Sequence, residues 1–207
     1  MRKIAILNYG IGNVKSIYNA LAQINARPIL TNRVEEIREA DGVILPGVGA
    51  FASGMENLAK YELEGPISDY VQTGKPFLGI CLGMQMLMDE SEEFGHTRGL
   101  GLVNGKVIRL KVTHARLPHV GWSKIEQPAH RPWSDTIFQD IKTNTNLYFV
   151  HSFAVHPKNT KDVLSLTTYD DNTYCSAFGK DNVYGVQFHP EKSADMGLKI
   201  LKNFINL

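Results

Sequence analysis

The chain has 207 residues, a length that fits one ordinary α/β domain. Its hydrophobic share of 43% is near the average for folded globular proteins, which argues against extended disorder. Lys and Arg total 22 against 21 Asp and Glu, so the chain lacks the basic excess that binding to a nucleic-acid backbone requires.

Strands and helices alternate through the first half of the chain. The apolar run at 4–7 predicts a first strand, and apolar residues from Val14 to Ile24 recur at the spacing of a helix. Continuous apolar strands separated by helices indicate a parallel sheet that is covered on both faces. The other elements predicted in this half are strands at 27–31, 42–46 and 75–80 and helices at 34–39 and 59–72.

The second half has short strands and fewer helices, which predicts a more antiparallel arrangement. The predicted strands lie at 106–110, 120–125, 147–150, 163–168 and 183–188, and an amphipathic helix at 194–206 follows them. No repeat and no long linker divides the sequence. We therefore predict a single α/β domain over 1–207, with a central, mostly parallel sheet, helices on both faces and an antiparallel extension in the C-terminal half.

Cysteine usage and apolar run lengths bear on the compartment. Only two cysteines occur, whereas a secreted protein of this size more often carries a disulfide framework. The first apolar run is shorter than the roughly 7 to 15 residues of a signal-peptide core. No stretch approaches the roughly 18 apolar residues of a membrane-spanning helix. The sequence predicts a cytoplasmic protein without a membrane segment.

One cysteine lies in a distinctive setting. Gly79-Ile80-Cys81-Leu82-Gly83 follows a predicted strand and precedes a helical run, a pattern typical of a nucleophile elbow with sulfur in place of oxygen. Glycines relieve crowding at such a sharp turn, and the helix N-terminus favours a thiolate. The Leu82 amide points to where an oxyanion would form. The alternative, a small buried hydrophobic residue, suits Cys175, which has no turn around it.

A thiol of ordinary pKa needs a base to become a nucleophile. Among the seven histidines, His189 stands where a predicted strand ends, and α/β proteins gather their chemistry at such ends. Glu191, across Pro190, can accept the second ring N–H and fix the tautomer. His-Pro-Glu is also compatible with an ordinary turn. In combination with the elbow it predicts a triad of Cys81, His189 and Glu191.

Other patterns predict neither a metal nor a cofactor. Four of the remaining histidines lie on different predicted elements and lack the short spacing of a zinc site. Gly10-Ile11-Gly12 after the first strand is similar to the start of a dinucleotide-binding fingerprint. Lys15 stands where the third glycine of that fingerprint should be.

Three segments together resemble class I, or triad, glutamine amidotransferases: residues 46–51, the elbow at 79–85, and residues 185–193. The resemblance implies hydrolysis of glutamine to glutamate and ammonia without a cofactor. Cys81 would attack the side-chain carboxamide, and His189, oriented by Glu191, would carry the proton.

The same resemblance implies a binding site for glutamine beside the nucleophile. Backbone amides of Leu82 and of the loop near Val48 would form the oxyanion hole, and Gly49 and Gln85 would contact the bound glutamine. A glycine-rich loop reorients a peptide bond at low cost. A partner could therefore switch this hole on.

Two more segments, 118–122 and 148–152, resemble the glutaminase subunits of imidazole glycerol phosphate synthases. This implies a heterodimer with a separate (β/α)₈ barrel subunit. The barrel uses the ammonia to form imidazole glycerol phosphate and aminoimidazole carboxamide ribotide in histidine biosynthesis. That family docks its barrel at the elbow end of the sheet, and the residues then expected at the interface are Asn13, His119, Trp122 and Lys192.

Two residues depart from that subfamily: Ser123 stands where Asn is more usual, and Asn8 where Asp is common. Both lie near the expected docking face, so they bear on the partner more than on the chemistry. The alternative function is a paralogous glutaminase that supplies ammonia for amidation of a sugar in surface-polysaccharide biosynthesis. A non-catalytic cysteine sensor or scaffold on the same fold is less favoured, because both His189 and Glu191 are present.

Overall fold

A computed structural model describes residues 1–207. Its strands are β1 (Lys3–Leu7), β2 (Arg27–Thr31), β3 (Gly42–Leu45), β4 (Phe77–Ile80), β5 (Glu90–Ser91), β6 (Thr97–Arg98), β7 (Gly105–Arg109), β8 (His119–Ile125), β9 (Thr145–His151), β10 (Phe153–Pro157), β11 (Val163–Tyr169), β12 (Asn172–Lys180) and β13 (Val183–Val186). Its helices are α1 (Val14–Gln23), α2 (Val34–Glu39), α3 (Phe51–Lys60), α4 (Glu64–Gln72), α5 (Leu82–Met86) and α6 (Ala194–Asn206). None of them combines the length and the apolar character needed to span a bilayer.

Eleven strands form one sheet whose centre is parallel. Strands β2, β1, β3, β4 and β13 lie side by side in that order and all run parallel. β12 pairs antiparallel with β13 and β10, the sheet continues through β7, β5 and β6, and β11 lies beside β12. β8 and β9 form a separate antiparallel ribbon. The predicted fold class, with its parallel centre and antiparallel extension, is confirmed.

Hydrophobic side chains cover both faces of the sheet. Successive residues of a strand point to opposite faces, so Ile4 and Ile6 of β1 pack in one core cluster with residues of α1 and α6. Ala5 and Leu7 pack in a second cluster with residues of α2, α3 and α4. Each fully buried aliphatic side chain of this kind contributes about 1.5 to 3 kcal/mol. The sheet is therefore held by helices on both sides.

The helix predicted at 59–72 is wrong in its bounds. The structure has two helices there, α3 and α4, and Glu62 between them adopts a left-handed backbone with φ of 53°. The Leu63 amide donates back to the Leu58 carbonyl at 3.0 Å, which closes the end of α3. Apolar spacing continues across this break, so periodicity alone does not show it. The strands β10 and β12 are also absent from the prediction, because their runs are short or rich in small and polar residues.

The elbow depends on glycines that pack against backbone. A Cβ at Gly83 would overlap the carbonyl oxygen of Leu45, so no side chain fits between α5 and β3. We expect Gly83→Ala to destabilise the fold by about 3 kcal/mol or more, as overpacking against rigid backbone does. Urea unfolding measures this. Gly65→Ala in α4, where nothing lies within 4 Å of the new methyl, is the control. Equal unfolding midpoints for the two variants would contradict the expectation.

Candidate active site

Cys81 occupies a strained position between β4 and α5. Its φ of 55° lies in the left-handed region that non-glycine residues rarely adopt. Its amide donates to the Val186 carbonyl of β13 at 2.8 Å, which holds the turn in place. As the first residue of α5, Leu82 has a backbone N–H without an acceptor inside the helix. The turn thus presents a thiol and a free amide side by side.

His189 and Glu191 form a buried pair just beyond β13. His189 Nδ1 lies 2.9 Å from Glu191 Oε1, and the two side chains are 3% and 0% exposed. Burial opposes protonation of the ring, but the neighbouring Cys81 sulfur and Glu191 carboxylate outweigh it and raise the pKa of His189 from 6.5 to about 10. At neutral pH the protonated ring donates its Nδ1 hydrogen to Glu191.

A cavity of about 370 Å³ joins the nucleophile to its base. Cys81 and His189 both line it, whereas Glu191 lies outside it. His189 Nε2 has no hydrogen-bond partner within the protein, so this is the ring atom available to a ligand. The four residues expected to form the oxyanion hole and the glutamine contacts also line the cavity: Val48, Gly49, Leu82 and Gln85. The structure thus brings every residue expected in the catalytic and glutamine sites to one place, with Glu191 directly behind the base.

The loop after β3 is anchored where it leaves the strand, and it contains a glycine with a positive φ three residues later. The Tyr9 hydroxyl donates to the Pro46 carbonyl at 2.5 Å and anchors the loop where it leaves the strand. Gly49, three residues on, has φ of 92° and no atom within 4 Å of an added Cβ. Glycine visits this region without steric cost. The peptide bond near Val48 therefore has room to change its orientation above the cavity.

The family of this chain follows from a comparison with known proteins. The family model for glutamine amidotransferase class-I matches residues 5–207. The chain belongs to that family. It is therefore an enzyme, a glutamine amidotransferase.

Curated relatives of this amidotransferase match it over its full length. It is 41% identical to imidazole glycerol phosphate synthase subunit HisH 1 of Legionella pneumophila, with 100% of both chains covered. It is 44% identical to imidazole glycerol phosphate synthase subunit HisH of Methanosarcina barkeri, again over 100% of both. Among solved structures, PurLQS from Thermotoga maritima superposes with a TM-score of 0.74 at 18% identity, covering 100% of this chain and 99% of that one. The last comparison shows a shared fold.

Sequence patterns do not single out two polar residues of the site in this amidotransferase, one lining the cavity and one beside the nucleophile. Glu93 lines the cavity, and its carboxylate accepts from the Phe51 amide at 2.6 Å. Gln187 lies beside the nucleophile, with Nε2 3.7 Å from Cys81 Sγ. Gln187 lies in the same segment as His189, and this closeness in the sequence is a signal that it belongs to the site. Glu93 lies in a polar loop with no pattern around it, and only the folded chain places it in the pocket.

Of the residues expected at the docking face, Trp122 and Lys192 lie together on the surface, whereas His119 is buried. Trp122 is 53% exposed and packs edge-on against Tyr148, with ring centroids 6.1 Å apart. Lys192 Nζ lies 5.9 Å from the centroid of the same Tyr148 ring. Asn13 precedes α1, and its side chain accepts a hydrogen bond from Ser16. Trp122 and Lys192 therefore share one exposed surface around Tyr148.

His119 does not belong to that surface. It is 1% exposed, because side chains alternate across β8 and the odd-numbered residues face inward. Trp122 and Val120, on the even positions, face outward and are 53% and 56% exposed. The sequence match that placed His119 at the interface did not distinguish the two faces of the strand. His119 instead packs on Phe149 and contacts Tyr174.

Buried imidazoles make the fold sensitive to acid. Burial lowers the pKa of His119 to about 4 and that of His151 to about 3. Below pH 6.5 the two histidines are protonated in the unfolded chain but stay neutral in the folded one. We therefore expect the free energy of unfolding to fall by about 1 kcal/mol per pH unit for each ring as the pH drops toward 4. Urea unfolding at pH 6.5, 5.5 and 4.5 measures the slope. His119→Asn should flatten it, and the same change at exposed His130 should not; equal slopes would refute the assignment.

No group of three or more His, Cys, Asp or Glu side chains lies together as a metal site would require.

The second cysteine, Cys175, lies within β12 and is 5% exposed. Burial raises the pKa of its thiol far above the usual range. Cys175 is thus a buried apolar residue, as its sequence setting predicts.

Proposed function

We propose that this amidotransferase is the glutaminase subunit of an imidazole glycerol phosphate synthase. It hydrolyses glutamine and passes the ammonia to a separate synthase subunit. The observation that carries the chemistry is the shared cavity of Cys81 and His189, with Glu191 bonded to the far nitrogen of the ring. The pathway is supported by the full-length relatives in two distant organisms, both named as subunits of that synthase.

The first half of the reaction forms a thioester. The thiol of Cys81 gives its proton to Nε2 of His189, and the thiolate sulfur attacks the side-chain carbonyl carbon of glutamine. The oxygen becomes an oxyanion that accepts hydrogen bonds from the amides of Leu82 and of the loop at Val48. As the C–N bond breaks, the nitrogen takes the Nε2 proton of His189 and leaves as ammonia. Glu191 keeps the ring oriented throughout.

The second half releases glutamate. His189 is now neutral at Nε2, and it takes a proton from a water molecule whose oxygen attacks the thioester carbon. The C–S bond breaks, the thiolate of Cys81 returns, and the ring is protonated again for the next cycle. The nearby Cys81 sulfur and the Glu191 carboxylate raise the pKa of His189 to about 10, so the protonated ring that starts the cycle is the resting form at neutral pH.

Recognition of glutamine follows from the polar atoms of the cavity wall. The Gln85 amide donates to the Phe153 carbonyl at 3.0 Å and to Gln187 Oε1 at 3.1 Å, so its own oxygen remains to accept from the ligand. Glu93 is the carboxylate that lines the cavity and is the natural partner of the α-ammonium group. Gly49 leaves space beside the reacting carbon. These contacts select a zwitterionic amino acid with a side-chain amide.

The docking surface belongs to the ribbon of β8 and β9. Exposed Val120 and Trp122, together with Tyr148 and Lys192, form an apolar patch with a positive charge at its edge. Val150, paired with Val120 across the ribbon, also lines the cavity. We propose that a (β/α)₈ barrel subunit covers this patch. Ammonia would then enter the partner directly, before bulk water protonates it.

The direct test is reconstitution. The chain is mixed with the barrel subunit encoded in the same genome, and imidazole glycerol phosphate is measured with glutamine or with ammonium as the nitrogen source. The proposal expects product from both sources, and glutamine turnover that rises when the barrel is present. Product from ammonium alone would refute it. Nitrogen transfer to a nucleotide sugar in a parallel assay would favour the surface-polysaccharide alternative.

A further inference from the structure

A chain of hydrogen-bonded side chains runs beneath the ribbon of β8 and β9. Ser123 Oγ lies 2.8 Å from His119 Nε2, and His119 Nδ1 lies 3.1 Å from the Tyr174 hydroxyl. The same hydroxyl lies 3.0 Å from His151 Nε2, and His151 Nδ1 lies 2.9 Å from the Phe153 carbonyl oxygen. Both histidines and Tyr174 are buried. The glutaminase mechanism above uses neither histidine.

The carbonyl at the end of this chain fixes the direction of every hydrogen bond. The Phe153 oxygen only accepts, so His151 Nδ1 carries the ring hydrogen. Burial keeps both histidines neutral, and the bare Nε2 of His151 accepts from the Tyr174 hydroxyl. That hydroxyl has one hydrogen, so it accepts in turn from His119 Nδ1, and His119 Nε2 accepts from Ser123. Every bond donates toward the cavity.

The Phe153 carbonyl connects this chain to the nucleophile. It accepts a second hydrogen bond from Gln85 Nε2 at 3.0 Å, and the other amide hydrogen of Gln85 goes to Gln187 Oε1. Gln187 Nε2 then points at Cys81 Sγ, 3.7 Å away. The position of the Phe153 carbonyl therefore orients the Gln85 amide, so that its oxygen faces the ligand. Through Gln85 it also orients the Gln187 amide, whose Nε2 faces the sulfur.

We infer that Tyr174 and His151 are positioning residues for glutamine: Tyr174 holds the ring of His151 in the one tautomer that donates to the Phe153 carbonyl, and Gln85 is thereby oriented before the substrate arrives. Tyr174 does not line the cavity, so its effect passes through His151, which does. Both nitrogens of His151 are occupied, which also prevents this second imidazole from competing with His189 as a base. The inference rests on the proposed function, because glutamine is the ligand that it orients.

Tyr174→Phe tests this in the complex with the synthase subunit. The change keeps the ring and removes the hydroxyl that links the two histidines. We expect the KM for glutamine to rise about tenfold, the effect of losing the one of its two hydrogen bonds that fixes His151, while kcat falls less than about threefold and ammonia-dependent synthesis is unchanged. Tyr70→Phe is the matched control: its buried hydroxyl donates to the Ala40 carbonyl at 3.3 Å, in the other core cluster. Its KM should stay within about twofold of wild type.

Two replacements of His151 separate positioning from packing. Asn places an amide N–H near the Nδ1 position and can still donate to Phe153, whereas Gln places its amide near Nε2 and cannot. We expect His151→Asn to keep a KM nearer to wild type than His151→Gln does. An unchanged KM in Tyr174→Phe, an equal rise in Tyr70→Phe, or identical KM values for the two His151 variants would overturn the inference.

A binding measurement separates this inference from the proposed function. Glutamine should protect Cys81 of the complex from iodoacetamide, and half-protection should need about tenfold more glutamine in Tyr174→Phe than in wild type. A wild-type complex that is protected but transfers no nitrogen to the histidine precursor contradicts the proposed function and leaves the positioning role supported. Equal protection curves for wild type and Tyr174→Phe contradict the positioning role, whatever the acceptor is.

Discussion

Cys81→Ala is expected to abolish glutamine-dependent synthesis, with a loss of at least about 10⁴-fold, and to leave ammonia-dependent synthesis by the complex within about twofold of wild type. The reason is that the sulfur forms the only covalent bond to substrate in the proposed mechanism, and loss of a nucleophile removes the pathway rather than one contact. In the proposed complex the partner subunit carries out the synthase chemistry, so supplied ammonia bypasses the defect.

Cys175→Ala is the matched control for this result. Cys175 is a second buried free thiol, 5% exposed against 6% for Cys81, but it lies within β12 and away from the elbow. We expect its replacement to keep glutamine-dependent synthesis within about twofold. Both activities are read from the same preparation with glutamine or ammonium. If Cys81→Ala still released glutamate from glutamine, Cys81 would not be the nucleophile.

Glu191→Gln is expected to lower kcat for glutamine by about 10² to 10⁴-fold and to change KM by less than about threefold. The carboxylate accepts the Nδ1 hydrogen of His189, whereas an amide can turn its NH₂ group to that nitrogen and favour the wrong tautomer. The change also removes one of the negative charges that raise the pKa of His189. Glu191 lies outside the cavity, so glutamine binding is spared.

The pH profile gives a second measure of this change. With less support for the protonated ring, the alkaline limb of kcat should move to lower pH in Glu191→Gln than in wild type. Asp195→Asn is a suitable control, because Asp195 is exposed on the adjacent turn of α6 and lines the same groove as Glu191. A variant at Glu191 that retained more than about a tenth of wild-type kcat would count against the triad.

Local sequence was sufficient to predict the elbow but not its surroundings. Glycines at 79 and 83 permit one kind of sharp turn, so the backbone of Cys81 follows from neighbours in the chain. The break at Glu62 between α3 and α4 was missed, because apolar spacing runs through it. The helix at 194–206 was predicted with its observed bounds, since its apolar stripe faces a single core.

Residues that meet only in the folded chain were the ones missed or misplaced. His119 was assigned to the docking face by its place in a motif, and burial on the inner side of β8 excludes it. Tyr174, from β12, joins two histidines of β8 and β9, and no spacing in the sequence links those three strands. Glu93 enters the pocket through a hydrogen bond to the start of α3. Such sites depend on strand order, which short-range patterns do not encode.

The position of β13 in the sheet determines when the active site is complete during synthesis of the chain. Thiol and base come from neighbouring strands, since β13 lies between β4 and β12 and its Val186 carbonyl holds the Cys81 amide. β13 is the final strand in chain order, so during synthesis the elbow emerges long before its base. We expect nascent chains not to hydrolyse glutamine until β13 has been inserted between β4 and β12. Glutamine hydrolysis thus begins only when the centre of the sheet is complete.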